Sequence, residues 1–312
     1  MGLFFARPGG YSLMQRSAHR GAITVAANRV IGVRPDVVAR SAIQTYAVLP
    51  SSFEPNSDGS EKQPIQFDFS TSSLAEIRQN DFKADFEREL VRLEQWLVDR
   101  DWPIAIPPLN VVVSDQFRIS KSLVPAWSGF PGLMQFPSWR VEAGKAAIAH
   151  ELVHVFLPNA NRLLAEGLAV HLQASIGGNP AFPNFGRPLH DVVRDLAPKM
   201  VPAFRPGDPA SLDAIRLTDL DAIATPAPLT LNVSGDIYGE EPRGQQHIYP
   251  LAGSFVQHLI DTRGLETFRR LYARTPLVPL HQDAGSPGRW TETYGCPLSS
   301  LESEWRSTIA GR

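Results

Sequence analysis

The segment AAIAHELVHVFLP, residues 146–158, sets His150, Glu151 and His154 into an otherwise apolar run. Imidazoles and carboxylates are costly to bury unless another group pairs with them. Residues four apart lie on one face of a helix, so the two histidines point the same way. The same face carries the small or apolar residues Ala143, Ala147 and Leu157. The pattern predicts a buried helix over residues 143–157 with two imidazoles turned toward one point.

Two imidazoles one helical turn apart can bind one metal ion at about 2 Å from each ring nitrogen, which removes the cost of burying them. Glu151 lies on the neighbouring face, where it can reach a water without binding the metal itself. The spacing HExxH is the signature of zinc metallopeptidases, in which the glutamate is the general base. We therefore expect His150 and His154 to bind one Zn²⁺ ion. The alternative is a pair of core histidines hydrogen-bonded to other groups.

A third ligand is expected from the helix that follows. Asn161 is a suitable N-cap, and the pattern predicts a helix over residues 162–176. The connection between the two helices is short, so in an antiparallel pair Glu166 returns level with His154. Glu166 is therefore the expected third ligand. His171 is an alternative, but it lies on a different face of the same helix.

A small-residue stretch surrounds the expected third ligand. Gly167 follows Glu166 directly and is flanked by Ala165 and Ala169. Glycine inside a helix costs about 1 kcal/mol relative to alanine. The pattern indicates that another backbone approaches this helix closely.

Three segments together resemble the gluzincin clan of zinc peptidases, the thermolysin-like and aminopeptidase-like enzymes. The first two are HELVH at residues 150–154 and AEGLAVHL at 165–172. The third, IYPLAGSFVQHLI at 248–260, resembles a segment of gluzincin aminopeptidases in which a tyrosine precedes a Gly/Ala pair and a helix. The likeness extends over roughly residues 110–275.

The resemblance implies a thermolysin-like metallopeptidase domain that hydrolyses peptide bonds with a zinc-activated water. Glu151 would take the proton of that water and pass it to the leaving amine. By the resemblance, Tyr249 is the group that stabilises the oxyanion together with the metal. Other candidates for this donor are His247, Tyr238 and His171.

The chain also departs from the known gluzincin patterns. The interval from His154 to Glu166 is shorter than in thermolysin or the aminopeptidases. Val170 stands where an acidic residue often orients a ligand histidine, so the second shell is left unassigned. Leu157 and Ala160 replace the glycine and histidine that a metzincin requires, which excludes that class.

The order of elements favours an α+β fold, because predicted strands come first and helices follow. Residues 1–60 are expected to form a basic, partly disordered leader with one possible strand, and residues 61–312 the catalytic domain. Within that domain, a small mixed sheet with an edge strand is expected over about 61–140. It would pack on a mainly helical part, 141–312, which carries the HExxH helix.

Composition limits the possible partners. The formal net charge of −2 gives no basic field for nucleic acid, and no stretch is apolar enough to span a membrane. The single cysteine, Cys296, cannot form an intrachain disulfide, and the leader lacks a continuous apolar core. We expect a soluble protein, and these features fit either a cytoplasmic or an exported one. The expected partner is a peptide or protein substrate lying along an edge strand at residues 130–136.

Two alternatives to a peptidase remain at this point. One is a catalytically inactive metallopeptidase-like module with a binding or regulatory role. The other is a zinc-free helical interaction protein in which His150 and His154 find partners within the core.

Overall fold

The computed structural model describes residues 65–102, 108–123, 132–177, 180–196, 216–225, 245–277 and 283–311. The predicted leader, residues 1–60, lies outside these ranges, as does Tyr238. The strands are β1 (Gln66–Thr71), β2 (Asn110–Ser114), β3 (Lys121–Leu123) and β4 (Leu133–Pro137). The helices are α1 (Glu76–Val98), α2 (Ser138–Glu142), α3 (Ile148–Phe156), α4 (Arg162–Leu172), α5 (Leu189–Leu196), α6 (Leu217–Asp221), α7 (Gln245–Arg263), α8 (Leu265–Tyr272), α9 (Gly288–Tyr294) and α10 (Leu298–Ala310), with a π-helical turn (Gln173–Gly177) after α4. The predicted α+β class is confirmed.

The four strands form one small mixed sheet in the order β1-β2-β4-β3. Strands β1, β2 and β4 are parallel to one another, and β3 runs antiparallel to β4 at the edge of the sheet. The prediction that residues 130–136 form an edge strand is wrong, because β4 is paired on both sides. Pro137 is the last residue of β4, where the missing N–H does not interrupt the ladder. The three-residue edge strand β3 is too short to show an alternating pattern.

Helix α1 covers one face of the sheet through its apolar stripe. The residues of this stripe are all buried: Phe82, Phe86, Leu90, Leu93 and Leu97. Phe82 packs edge-on against Phe136 of β4, with ring centroids 5.3 Å apart, in the geometry that aromatic pairs prefer. The sheet and α1 thus share one core with the helices that follow.

The HExxH helix is shorter than the sequence predicts. Only Ile148–Phe156 of the expected helix over 143–157 is helical, because Gly144 adopts a φ of 63° in the non-helical stretch that separates α2 from α3. Ala147 is the N-cap of α3 and Leu157 its C-cap. His150 and His154 still lie one turn apart on the same helix.

Two buried side chains cap the first turn of α3. The carboxyl Oε2 of Glu89, on α1, accepts a hydrogen bond from the Ala149 backbone N–H at 2.8 Å. The amide Oε1 of Gln173 accepts one from the His150 backbone N–H at 3.0 Å. Free N–H groups of a first helical turn need such partners when they are buried. Both contacts therefore fix the start of the helix that carries the histidines.

The start of α4 is fixed by a buried polar network. The Asn161 side chain accepts from the Leu164 backbone N–H at 3.0 Å, which confirms it as the N-cap. Its amide group donates to the carbonyl oxygens of Asp221 and Ala284. The Asp221 carboxylate in turn pairs with the Arg289 guanidinium. These bonds hold α4 in place relative to α6 and α9.

Helices α4 and α7 approach closely at small residues. A Cβ atom added at Gly167 would lie 2.4 Å from Val256 Cγ2 and 2.8 Å from the Ala252 carbonyl oxygen. One added at Gly253 would lie 2.2 Å from Val170 Cγ1. The predicted close approach at Gly167 is confirmed, and the approaching backbone is that of α7. This contact brings Tyr249 of α7 toward α4.

No helix within the described ranges has the length and apolar character needed to cross a membrane.

The Gly167→Ala variant tests the α4–α7 contact. Alanine gains about 1 kcal/mol of helix propensity, but the clash with Val256 and Ala252 outweighs it. We expect a net loss of about 1–3 kcal/mol in the free energy of unfolding, as is usual for overpacking. Gly288→Ala is the control, because the nearest atoms to its added Cβ lie at 3.4 and 3.7 Å. A stabilising effect of Gly167→Ala would contradict the packing.

The Glu89 carboxyl gives a testable pH dependence. Burial raises its pKa from 4.5 to about 8, although the hydrogen bond from the Ala149 backbone N–H opposes this shift. A folded-state pKa above the unfolded value stabilises the fold fully below pH 4.5, and this contribution is lost as pH rises through 8. Glu89→Gln mimics the protonated group at every pH. The free energy of unfolding is measured by denaturant titration with a chelator present. We expect that of the variant to rise relative to that of the wild-type protein between pH 4.5 and 8. Parallel profiles would contradict this assignment.

Candidate metal centre

The predicted ligand residues come together where α3 and α4 pack. His150 and His154 project from α3, and Glu166 projects from α4 after the short connection of residues 157–161. His150 and Glu166 are buried, and the His154 side chain is 16% exposed. The partial exposure of His154 leaves the cluster open on one side. The three residues form the candidate metal cluster of the described chain.

The facing atoms of the three side chains form a nearly equilateral triangle. The two Nε2 atoms of His150 and His154 lie 3.1 Å apart. Each lies 3.2 Å from Oε2 of Glu166. Ligand atoms at about 2.0–2.1 Å from a tetrahedral metal are separated by about 3.3 Å. The donors therefore fit a tetrahedral ion without rearrangement of the helices.

The charge state of the cluster also suits a cation. Burial opposes ionisation of Glu166, yet the Arg162 guanidinium and His154 lower its pKa well below the usual value. Glu166 Oε2 is buried and receives no well-aligned hydrogen bond from the described residues. An ionised oxygen with open lone pairs thus faces two ring nitrogens.

The other nitrogen of the His150 ring is left without a described acceptor. Nδ1 is buried and has no hydrogen-bond partner within the part of the chain that the structure describes. Metal-bound histidines usually donate this N–H to a carboxylate, carbonyl or water. Val170 stands where an acidic residue could accept this hydrogen bond, and no other side chain among the described residues accepts it.

Glu151 is buried beside the edge strand of the sheet. The Ser122 hydroxyl, on β3, lies 2.6 Å from Glu151 Oε2 and 2.9 Å from its backbone carbonyl, and it can donate to either. The neighbouring Lys121 is partly buried, which lowers its pKa, while Glu151 opposes that change. No sequence pattern marks Ser122, since β3 has only three residues.

Tyr249 lies against the cluster. Its ring centroid is 5.9 Å from that of His150 and 5.6 Å from that of Phe182. The Arg162 guanidinium lies beside the phenol and interacts with it electrostatically. Burial raises the pKa of Tyr249, with Glu166 adding to the effect, so the phenol keeps its proton. A protonated phenol can donate a hydrogen bond.

The other candidates for the donor or third ligand are not brought to the cluster. His171 faces a different environment, where burial lowers its pKa to about 4 and its charged or titratable neighbours include Asp261, Arg100 and His190. The side chain of His247 and the whole of Tyr238 fall outside the described residues.

Arg162 also belongs to the site, although it is not among the residues predicted from the sequence. It is the first residue of α4 and only 8% exposed. Its Nε lies 3.2 Å from Oε1 of Glu166, four residues later on the same helix. The signal was available, because an Arg–Glu pair at i,i+4 in an otherwise apolar helix indicates a buried ion pair.

Comparisons with protein-family models, with curated proteins and with solved structures returned no match to this chain. The function is therefore inferred from the side chains of the site itself.

Proposed function

We propose that the protein is a zinc-dependent peptidase of gluzincin type with a thermolysin-like catalytic domain. The observation that carries the proposal is the convergence of His150, His154 and Glu166, with facing atoms 3.1–3.2 Å apart. Glu151 of the same motif is buried next to this cluster. Two core histidines that only satisfy each other would not require a buried, ionised carboxylate at equal distance from both rings.

The residues present fit one zinc ion. His150 and His154 would bind it through Nε2, and Glu166 through Oε2. Two imidazoles and one carboxylate form the ligand set of catalytic zinc sites, which leave a further position for water or substrate. When bound, zinc supplies an activated water at neutral pH and polarises the substrate carbonyl.

Glu151 would act as the general base. It lies one residue after His150, on the neighbouring face of α3, and it does not belong to the three-residue cluster. The hydrogen bond from Ser122 holds its Oε2 in a fixed orientation. From this position the carboxylate would take the proton of the attacking water and deliver it to the leaving amine.

Tyr249 would donate to the oxyanion. The Arg162 guanidinium, which can only donate, lies beside its hydroxyl, so the phenolic hydrogen is free to point elsewhere. The ring lies against that of His150, so Tyr249 packs directly on one of the metal ligands. A fixed donor of this kind is useful because it is already oriented when negative charge develops.

An extended peptide would bind along β3 rather than along residues 130–136. Strand β3 is the edge next to β4, and no described strand pairs with its other side. Ser122 of β3 contacts Glu151, so a peptide paired with this edge would pass beside the base. Main-chain pairing to a strand edge binds an extended substrate with little dependence on its sequence.

Metal analysis with ligand variants tests the zinc site. We expect one zinc per chain and a loss of affinity greater than about 100-fold in Glu166→Gln, because even outer-shell changes cost about 10–100-fold. His171→Gln is the matched control, since that imidazole lies outside the cluster. Equal affinities of the wild-type protein and Glu166→Gln in chelator competition would contradict the ligand set.

The Glu151→Gln variant separates an enzyme from an inactive module. We expect zinc content to be retained and cleavage of a peptide library to fall by about 10²–10⁴-fold, the usual contribution of a general base. Glu142→Gln is the control, because its side chain is 56% exposed and pairs with Arg78 on the surface. Cleavage that is unchanged in Glu151→Gln would exclude this role. A zinc-loaded wild-type protein that cleaves nothing would favour the binding or regulatory module.

A further inference from the structure

We infer that Arg162 is a positioning residue that couples the third metal ligand to the oxyanion donor. One guanidinium contacts both Glu166 and Tyr249. This inference rests on the proposed function for its catalytic half. Its metal-binding half can be tested in the absence of any peptidase activity.

The first contact determines which oxygen of Glu166 faces the histidines. Arg162 Nε lies 3.2 Å from Oε1, while Oε2 lies 3.2 Å from both imidazole nitrogens. One oxygen of the carboxylate thereby faces the guanidinium, and the other faces the two imidazoles. Arg162 would thus leave Oε2 as the oxygen of Glu166 that is available to a bound metal.

The second contact orients the phenol. The guanidinium lies beside the Tyr249 phenol and has donors only, so we infer that the single phenolic hydrogen points away from Arg162. A positive group beside this oxygen also makes the O–H a stronger donor. Tyr249 lies on α7 and Glu166 on α4. Arg162 therefore links a side chain of one helix to a side chain of the other.

Arginine suits this task because its planar fork presents several donors in fixed directions. A lysine ammonium is a single point charge on a flexible stem, and it can replace one of the two contacts more readily than both. Removal of a buried cation also leaves the Glu166 carboxylate with less charge compensation. A neutral replacement would therefore destabilise the metal-free protein. Binding of zinc and orientation of the phenol should therefore respond differently to lysine and to methionine.

The experiment compares Arg162→Met, Arg162→Lys and Tyr249→Phe, together with each double variant. Zinc affinity is measured by chelator competition, and ligand geometry by the visible spectrum of the cobalt-substituted protein. For Arg162→Met we expect zinc affinity to fall about 10–100-fold and the cobalt bands to shift, as for other outer-shell changes. Tyr249→Phe should leave both unchanged. Arg162→Lys should lose less zinc affinity than Arg162→Met.

Kinetics on a cleaved peptide test the second contact. Tyr249→Phe should lower kcat by about 10²–10³-fold in the wild-type background, the usual cost of one oxyanion donor. In the Arg162→Met and Arg162→Lys backgrounds, the same change should cost less than about 10-fold, because the phenol is no longer oriented. A merely structural arginine would give additive losses.

Arg306→Met is the matched control. Arg306 forms an i,i+4 pair with Glu302 on α10, and its side chain is 17% exposed, so the variant also loses a mostly buried helical ion pair. It should lose stability without a change in zinc affinity or in the cobalt spectrum. This control separates general destabilisation from an effect on the site.

The outcomes distinguish this inference from the proposed function. A zinc-binding wild-type protein that cleaves no peptide, with reduced zinc affinity in Arg162→Met, would refute the peptidase and support the ligand-positioning role. Zinc affinity within about 2-fold of wild type and an unchanged cobalt spectrum in the Arg162 variants would overturn the inference. If Arg162→Met does not fold, Arg162→Lys decides, because it retains the charge. The role would then be refuted if Arg162→Lys binds zinc as tightly as the wild-type protein and if Tyr249→Phe lowers kcat by the same factor in both backgrounds.

Discussion

The site depends on one electrostatic constraint: an ionised carboxylate is held inside the protein at equal distance from two imidazoles. Glu166 is 3% exposed, and such a group is stable there only if cations compensate its charge. Arg162 compensates one oxygen. The other faces His150 and His154, with the separations that a tetrahedral ion needs. A bound divalent cation would satisfy the remaining lone pairs of all three side chains at once.

The surrounding fold keeps these groups in place. Glu89 and Gln173 bind the first backbone N–H groups of α3, so the histidines begin from a fixed turn. Gly167 allows α7 to pack directly on α4, and this contact places Tyr249 within reach of Arg162. Strand β3 supplies Ser122, which donates a hydrogen bond to the Glu151 carboxylate. The groups of the site therefore come from four elements, α3, α4, α7 and β3, and the packing of these elements determines their separations.

Much of the site could be predicted from sequence because the relevant spacing is local. His150 and His154 share a face by helical periodicity, and the short turn after α3 brings Glu166 level with them. Other features depend on distant contacts or on unusual backbone conformation. Gly144 shortens the helix through a positive φ, and β4 is an inner strand because β3 pairs with it. The α+β class follows from element order, whereas no local pattern reveals the pairing of a three-residue strand.

X-ray absorption spectroscopy of the zinc-loaded protein tests the central claim most directly, because it reports the metal's own ligands. We expect two imidazole nitrogens and one carboxylate oxygen at about 2.0–2.1 Å, with a further light-atom ligand. The imidazole signal should fall by half in His154→Ala. A protein that binds no zinc, or a spectrum dominated by sulfur or by water oxygens without imidazole scattering, would contradict the account.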